Sequence, residues 1–304
     1  MRFTLQLPTD RVDMPGEFVT GEAVARVARD AETAGFDACF VTDHPFPPDA
    51  WMASGGHHTL DPFVALSFAA AATRRLRLQT HILVLAYRNP FLVAKAVASL
   101  DVLSGGRVIV GVAAGYLEKE FHALGADFAH RNEVADEAIA AMKTAWTEAG
   151  ICLAGRGFQV DGQTALPRPL QRPHPPLWVG GNAPRAIRRA VELADGWLPF
   201  PAPAKLAGRV GTRALEGMED LARGLDYARE HAAKIGRQEP LDVCFTHLGL
   251  RDWQKGRLDG PGFRAGVEEL EKLGVTWLTV GLPTRSRTEL LETLARFGEE
   301  VIRP

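Results

Sequence analysis

THILVLAYRNPFLVAKAVASLDVLSGGRVIVGVAAGY, residues 80–116, is the stretch whose reading decides the fold. Its opening belongs to an apolar run, Leu76–Leu85. Helix-period positions Leu92, Val93, Ala96, Val97 and Leu100 follow, then Gly105-Gly106 and a second apolar run, Arg107–Ala114. Short runs that are apolar almost throughout read as strands buried on both faces, and spacings of three and four read as one face of a helix. A strand, a helix and a strand in that order return the chain to the same sheet by a right-handed crossover, so the two strands are parallel.

The same unit repeats outward in both directions. Arg2–Pro8, Ala38–His44, Pro176–Gly181, Gly196–Phe200, Leu241–Leu250 and Thr276–Pro283 are further strand-like runs. Between them lie helix-period sets such as Val24, Val27, Ala28 and Ala31, then Ile187, Ala190, Val191 and Ala194, and finally Leu290, Leu294, Phe297 and Val301. Eight such units in 304 residues predict an α/β fold of the closed (β/α)8 TIM barrel type rather than an open sheet. Residues 150–175 break the rhythm with Gly, Pro and turn residues, and ICLAGRGFQVDG predicts a short hairpin inserted between the fourth helix and the fifth strand. No linker or repeat marks a boundary, so residues 1–304 read as one domain.

Composition excludes several functions. The net charge of −2 provides no footprint for nucleic acid or an anionic membrane surface. No apolar run approaches the roughly 20 residues that span a bilayer, and Met1 leads straight into a strand-like stretch, so the expected location is the cytoplasm. Cys39, Cys152 and Cys244 are odd in number and widely spaced, which suggests neither a disulfide framework nor a zinc site.

In such a barrel the chemistry sits at the C-terminal strand ends. Those ends lack a His-x-His pair on the first strand, a strand lysine and a facing pair of carboxylates. Metal-dependent hydrolysis, Schiff-base chemistry and glycoside hydrolysis are therefore disfavoured. An apolar cavity with a few hydrogen-bonding groups remains, suited to a cofactor that carries the hard chemistry. GGNAPRAIRRA, residues 180–190, adds a candidate phosphate seat: two glycines, an N-capping Asn182 and Pro184 ahead of a helix whose first turns hold Arg185, Arg188 and Arg189. Gly111 and Gly115 offer a close backbone approach for a cofactor tail. His57-His58 lie on a Gly- and Ser-rich loop and read as part of a substrate lid rather than a metal site.

GFDACFVTDHPF (residues 35–46), the quoted stretch with its continuation LEKEFHALG, and PLWVGGNAPRAIRRAVELADGWLP (residues 176–199) together resemble the luciferase-like monooxygenase superfamily. Within it, the likeness is to coenzyme F420-dependent (5-deazaflavin) oxidoreductases. Asp-His, Arg-Asn-Pro, Ser-Gly-Gly-Arg and Asp-Gly-Trp, in that order, carry it. The resemblance implies an oxidoreductase acting on a small organic substrate, with Asp43 and His44 as catalytic and cofactor-binding residues. It also implies a non-prolyl cis peptide at His81–Ile82 in a bulge that backs the cofactor ring, so that Thr80, His81 and Ile82 join the cofactor site. Gly115-Tyr116 and Gly180-Gly181-Asn182 match regions that hold the cofactor tail. Two departures stand out: Tyr116 occupies a place where some deazaflavin dehydrogenases carry an acid, and Ala113-Ala114 replace a richer glycine run.

The leading expectation is hydride transfer with F420, His44 being proton donor or electrostatic partner to the ring. An FMN-dependent monooxygenase using externally reduced flavin is the alternative; a non-catalytic flavin-binding barrel and a non-redox phosphate-binding barrel rank below it. The helices expected around Pro62–Ala72 and Phe91–Leu103 carry more Ala, Leu, Val and Phe than one core-facing stripe requires, which predicts a homodimer through them.

Overall fold

In the computed structural model, which describes residues 1–250, 255 and 259–303, eight parallel strands close on one another. They are β1 (Arg2–Gln6), β2 (Ala38–Val41), β3 (Arg77–Val84), β4 (Val108–Ala113), β7 (Leu177–Gly180), β8 (Gly196–Leu198), β9 (Asp242–Thr246) and β10 (Trp277–Val280). Around the barrel the order is β1-β10-β9-β8-β7-β4-β3-β2, so the first strand pairs with the last, Thr4 opposite Thr279, and with the second, Thr4 opposite Ala38. The intervening β5 (Ile151–Gly155) and β6 (Phe158–Gln163) form a separate antiparallel hairpin inside the predicted excursion.

The continuous apolar strands are explained by burial on both faces. All four residues of β2, of β7 and of β10 are buried, some inside the barrel and some beneath the helices. Ala38, Ile109, Trp178, Leu198, Cys244 and Trp277 form one packed cluster, in which the two indoles meet edge to face at 5.3 Å. Gly196 is required beside them, because a Cβ there would lie 2.4 Å from Trp178. Most observed strands are shorter at the C-terminal end than the apolar runs suggested. β2 stops at Val41 rather than His44, and β9 at Thr246 rather than Leu250. Past the last ladder residues, Thr42, Asp43 and His44 and likewise His247, Leu248 and Leu250 line cavities at the barrel mouth instead of pairing.

Three of the motifs turn out to hold the scaffold. In Ser104-Gly105-Gly106-Arg107 both glycines adopt positive φ, 78° and 83°, where other residues are strained. The Arg107 guanidinium donates to the carbonyls of Ala70, Thr73, Leu76 and Ser104, tying a helix end to the strand layer. In Arg88-Asn89-Pro90 the Asn89 side chain caps the helix Pro90–Ser104 by accepting from Phe91 N–H. In Asp195-Gly196-Trp197 the carboxylate accepts from Leu177 N–H at 2.8 Å, and the indole donates to the Gly181 carbonyl at 2.8 Å. Outside, the helices Pro62–Ala72 and Pro90–Ser104 pack side by side and expose Val64 (59%), Phe68 (50%), Leu92 (73%) and Leu103 (81%). No described helix is long and apolar enough to cross a membrane.

Candidate active site

A cavity of about 330 Å³ opens at the C-terminal ends of β2, β3, β4, β7 and β8. Asp43, His44, His81, Ile82, Gly115, Tyr116, Gly180 and Gly181 all line it. Two residues expected with them do not. The Thr80 hydroxyl is buried and donates to the Gly111 carbonyl at 2.9 Å, and Asn182 is turned into the scaffold.

The back wall is an irregularity in β3. Its pairing with β4 runs in register to Thr80, shifts, and resumes at Leu83, so His81 and Ile82 form a bulge; the peptide bond between them is cis. Ile82 fills the space where Gly180 lacks a side chain, since a Cβ there would fall 2.1 Å from Ile82 Cδ1. His81 stacks 4.6 Å from Phe40, with Nδ1 3.2 Å from the Gln79 amide. Burial pushes its imidazole down to about 4, so it is neutral at physiological pH.

Past Val41 the chain carries Thr42, Asp43 and His44 to the front of the cavity. The Asp43 carboxylate is held on both oxygens, by Arg88 Nη2 at 2.8 Å and Val84 N–H at 3.2 Å. Burial pushes this carboxyl up against the pull of the guanidinium. It fixes the loop after β3 to the loop after β2, and so places the neighbouring His44. The His44 ring lies 4.5 Å from Trp51, 5.1 Å from His57 and 6.2 Å from Tyr116, an aromatic corner at the cavity mouth. His57 is anchored to Thr42 Oγ1 at 3.1 Å and is pushed down to about 4 by burial, with help from His44 and His58. The His57 loop therefore packs onto His44, and Arg209, from the helix Ala204–Val210 that follows β8, reaches across to Ser54 Oγ at 3.1 Å. Burial pushes the Tyr116 phenol up to about 12, so it stays protonated.

Behind His44 stands a carboxylate that the sequence reading left without a role. Glu120 is completely buried, with its Oε2 3.4 Å from His44 Nδ1 and 2.8 Å from the Tyr87 hydroxyl, and its Oε1 2.9 Å from Phe46 N–H. Burial alone would raise this carboxyl, but the three donors outweigh it and hold Glu120 below the ordinary glutamate range. A signal for it exists in the sequence: Leu117, Glu120, Phe121 and Leu124 share helical spacing, so an acid sits on an otherwise apolar stripe.

At the other end the helix Pro184–Leu193 starts at Pro184 as expected, but its N-cap is Ala183 rather than Asn182 and no side chain caps it. Asn182 instead donates to the carbonyls of Phe200 (2.9 Å) and Arg213 (3.2 Å) and accepts from Phe200 N–H (3.1 Å), stapling two loops together. The arginines after it are balanced by protein groups. Arg185 pairs with Glu133 at 2.9 Å, Arg189 pairs with Asp136, and Arg188 turns away to the Tyr227 hydroxyl at 2.7 Å. Arg131, Arg185 and Arg189 nevertheless line the rim of the cavity. Gly111 has a different use from the one anticipated, because a Cβ there would meet the Thr80 carbonyl at 2.2 Å; its role is close packing of β4 on β3. Among the described residues no group of three or more His, Cys, Asp or Glu side chains is arranged to hold a metal ion.

The luciferase-like monooxygenase family matches residues 1–248. An uncharacterized protein of Mycobacterium tuberculosis is 34% identical over 194 residues, 60% of this chain and 68% of its own length. The FMNH(2)-dependent dimethylsulfone monooxygenase of Pseudomonas putida is 29% identical over 215 residues, 69% of this chain and 55% of that one. The F420-dependent glucose-6-phosphate dehydrogenase of Intrasporangium calvum is 33% identical over 192 residues, 60% and 54% of the two chains. In fold, monooxygenase RslO1 of Streptomyces bottropensis superposes with a TM-score of 0.80 at 22% identity over 99% of each chain. The coenzyme F420-dependent tetrahydromethanopterin reductase of Methanopyrus kandleri gives 0.73 at 18% identity, over 99% of this chain and 98% of that one.

Proposed function

We propose a function from one premise: this chain belongs to the luciferase-like monooxygenase family. It is an oxidoreductase of that kind, and the reading its site supports best is hydride transfer between the 5-deazaflavin F420 and a small organic substrate. The observation that carries this reading is the position of His44, at the front of an apolar cavity whose back wall is the His81–Ile82 bulge.

The cavity fits a planar ring with an anionic tail. Its volume of about 330 Å³ lies in the range of small-molecule sites, about 300–1,000 Å³. Its lining is mostly apolar, it is open along the backbone at Gly180-Gly181, and its cations are gathered at one rim as Arg131, Arg185 and Arg189. Ile82 of the bulge and His44 would flank the ring, Gly115, Tyr116, Gly180 and Gly181 would hold the tail, and the arginine rim would face the phosphate. The deazaflavin, when bound, supplies or accepts the hydride. His44 handles the accompanying proton at Nε2, the ring nitrogen not turned toward Glu120. Trp51, His57 and Tyr116 pack around that imidazole at the mouth.

An FMN-dependent monooxygenase is the second reading, favoured by Tyr116 standing where an acid is expected in some deazaflavin dehydrogenases and by the FMNH(2)-dependent relative. Anaerobic assay separates the two. Bleaching of the F420 visible band on addition of a panel of alcohols and aldehydes, without oxygen, supports the first reading. Substrate-dependent oxygen uptake with externally reduced FMN, and no anaerobic reaction with F420, replaces it with the second.

A further inference from the structure

We infer that Glu120 is a positioning residue for His44, fixing the neutral imidazole with its proton on Nδ1 and its Nε2 lone pair turned to the cavity. Three groups converge on this one carboxylate: Phe46 N–H donates to Oε1, the Tyr87 hydroxyl donates to Oε2, and His44 Nδ1 lies 3.4 Å from Oε2. These partners favour the charged form and hold the carboxyl below the ordinary glutamate range. Glu120 is therefore ionised. An ionised carboxylate only accepts, so Nδ1 of His44 must carry a hydrogen, and the opposite tautomer is excluded.

The remaining nitrogen, Nε2, has no hydrogen-bonding partner among the described residues, on a residue that lines the cavity. With Nδ1–H donated to a carboxylate, Nε2 is the base, and when it takes a proton the imidazolium is balanced in place by the charge behind it. No covalent bond changes apart from the one proton gained or lost at Nε2.

The titratable groups facing this imidazole have been placed. On its own segment stand Asp43, held by Arg88, and His57, neutral above about pH 4. From the loop after β4 comes Tyr116, a neutral phenol. From the turn Leu85–Tyr87 comes Tyr87, whose hydroxyl reaches the imidazole only through Glu120; burial and that carboxylate push it far up, so it stays a neutral donor. Among the described residues Glu120 is thus the charged group with an oxygen within 4 Å of the ring.

The consequence for turnover rests on the proposed function, but the tautomer does not, and the experiment is chosen accordingly. Protein labelled with ¹⁵N-histidine is titrated without cofactor by long-range ¹H–¹⁵N NMR, with His44 signals assigned by their loss in His44→Asn. The wild type is expected to show the neutral Nδ1–H form. Glu120→Gln keeps the acceptor for Phe46 N–H but turns an amide donor toward Nδ1, so it should switch His44 to the Nε2–H form. Tyr87→Phe, which removes a donor and no charge, should keep the Nδ1–H form. A wild-type Nε2–H tautomer overturns the inference, as does an unchanged Nδ1–H tautomer in folded Glu120→Gln. Should Glu120→Gln fail to fold, the wild-type tautomer and Tyr87→Phe still decide. If the NMR result holds while neither F420 nor FMN binds, the functional reading falls and the role of Glu120 stands.

Discussion

Replacing Arg88 by Met should destabilise the protein in a strongly pH-dependent way. Asp43 is almost fully buried and keeps two donors, Arg88 Nη2 and Val84 N–H. Arg88→Met removes one donor and the positive charge that compensates the carboxylate. Breaking a fully buried pair costs about 3–5 kcal/mol. The Arg88 side chain is 24% exposed, and Asp43 keeps Val84 N–H, so we expect about 2–3 kcal/mol at pH 8. The second contact of Arg88, to the more exposed Asp61 at 3.5 Å, adds little. Asp43 already has a folded-state pKa above its ordinary value because of burial, and losing Arg88 raises it further. A carboxyl whose folded pKa is raised holds its proton more tightly in the fold than in the unfolded chain. Its contribution is therefore intact below the unfolded pKa near 4 and is lost as pH rises, at up to about 1.4 kcal/mol per unit until the folded pKa is passed. Urea unfolding at pH 5 and pH 8 measures this. Arg88→Met should lose distinctly more at pH 8, whereas Asp43→Asn/Arg88→Met should lose about the same at both. A penalty for Arg88→Met that is equal at the two pH values would refute the reasoning.

Other outcomes follow from the same geometry. His44→Ala should leave cofactor affinity within about tenfold while slowing turnover about 10²-fold or more, by the scale of a lost general acid or base, as steady-state kinetics and a binding titration would show. Gly181 has φ of 120° and a Cβ there would sit 3.0 Å from Ala186, so Gly181→Val should weaken cofactor binding more than it slows the bound enzyme; the Kd and kcat of the variant check this. His57 and His81 are both held near pKa 4, below the free value of 6.5, so the stability they contribute is present above pH 6.5 and is lost as pH falls from there toward 4. Melting temperature across that window should drop, and drop less in His57→Asn. The exposed Leu92 and Leu103 are proposed to lie in a homodimer interface, so Leu92→Glu/Leu103→Glu should halve the mass seen by analytical ultracentrifugation at micromolar concentration; a wild type that is already monomeric counts against the interface.

The barrel was legible because its strands are apolar on both faces and its helices on one, a pattern that survives in the sequence without any tertiary information. Strand ends were less legible. The expected strands ran on to His44 and Leu250 although the ladders stop at Val41 and Thr246, since no turn residue marks where the chain leaves the sheet to line the barrel mouth. That His44 lines the cavity was legible from its strand-end position, whereas the His81–Ile82 bulge was expected only through the family resemblance. The site was unreadable where a role depends on partners far along the chain. Glu120 faces His44 across 76 positions, and nothing local distinguishes it from Glu118 two residues earlier except its place on an apolar stripe. Asn182 was misread for the opposite reason: Asn ahead of Pro fits a helix cap locally, but two carbonyls across the loop claim its amide.

Titration of the purified chain with F420 and, separately, with FMN, followed through the fluorescence of its 6 Trp residues, tests the central claim most directly. Trp51 stacks 4.5 Å from His44 at the cavity mouth, so a ring bound there should quench it. The account predicts saturable quenching by F420 with a 1:1 end point and at least tenfold weaker binding of FMN, a difference of about 1.4 kcal/mol. Tight binding of FMN with none of F420, or quenching that persists unchanged in Gly181→Val, would contradict it.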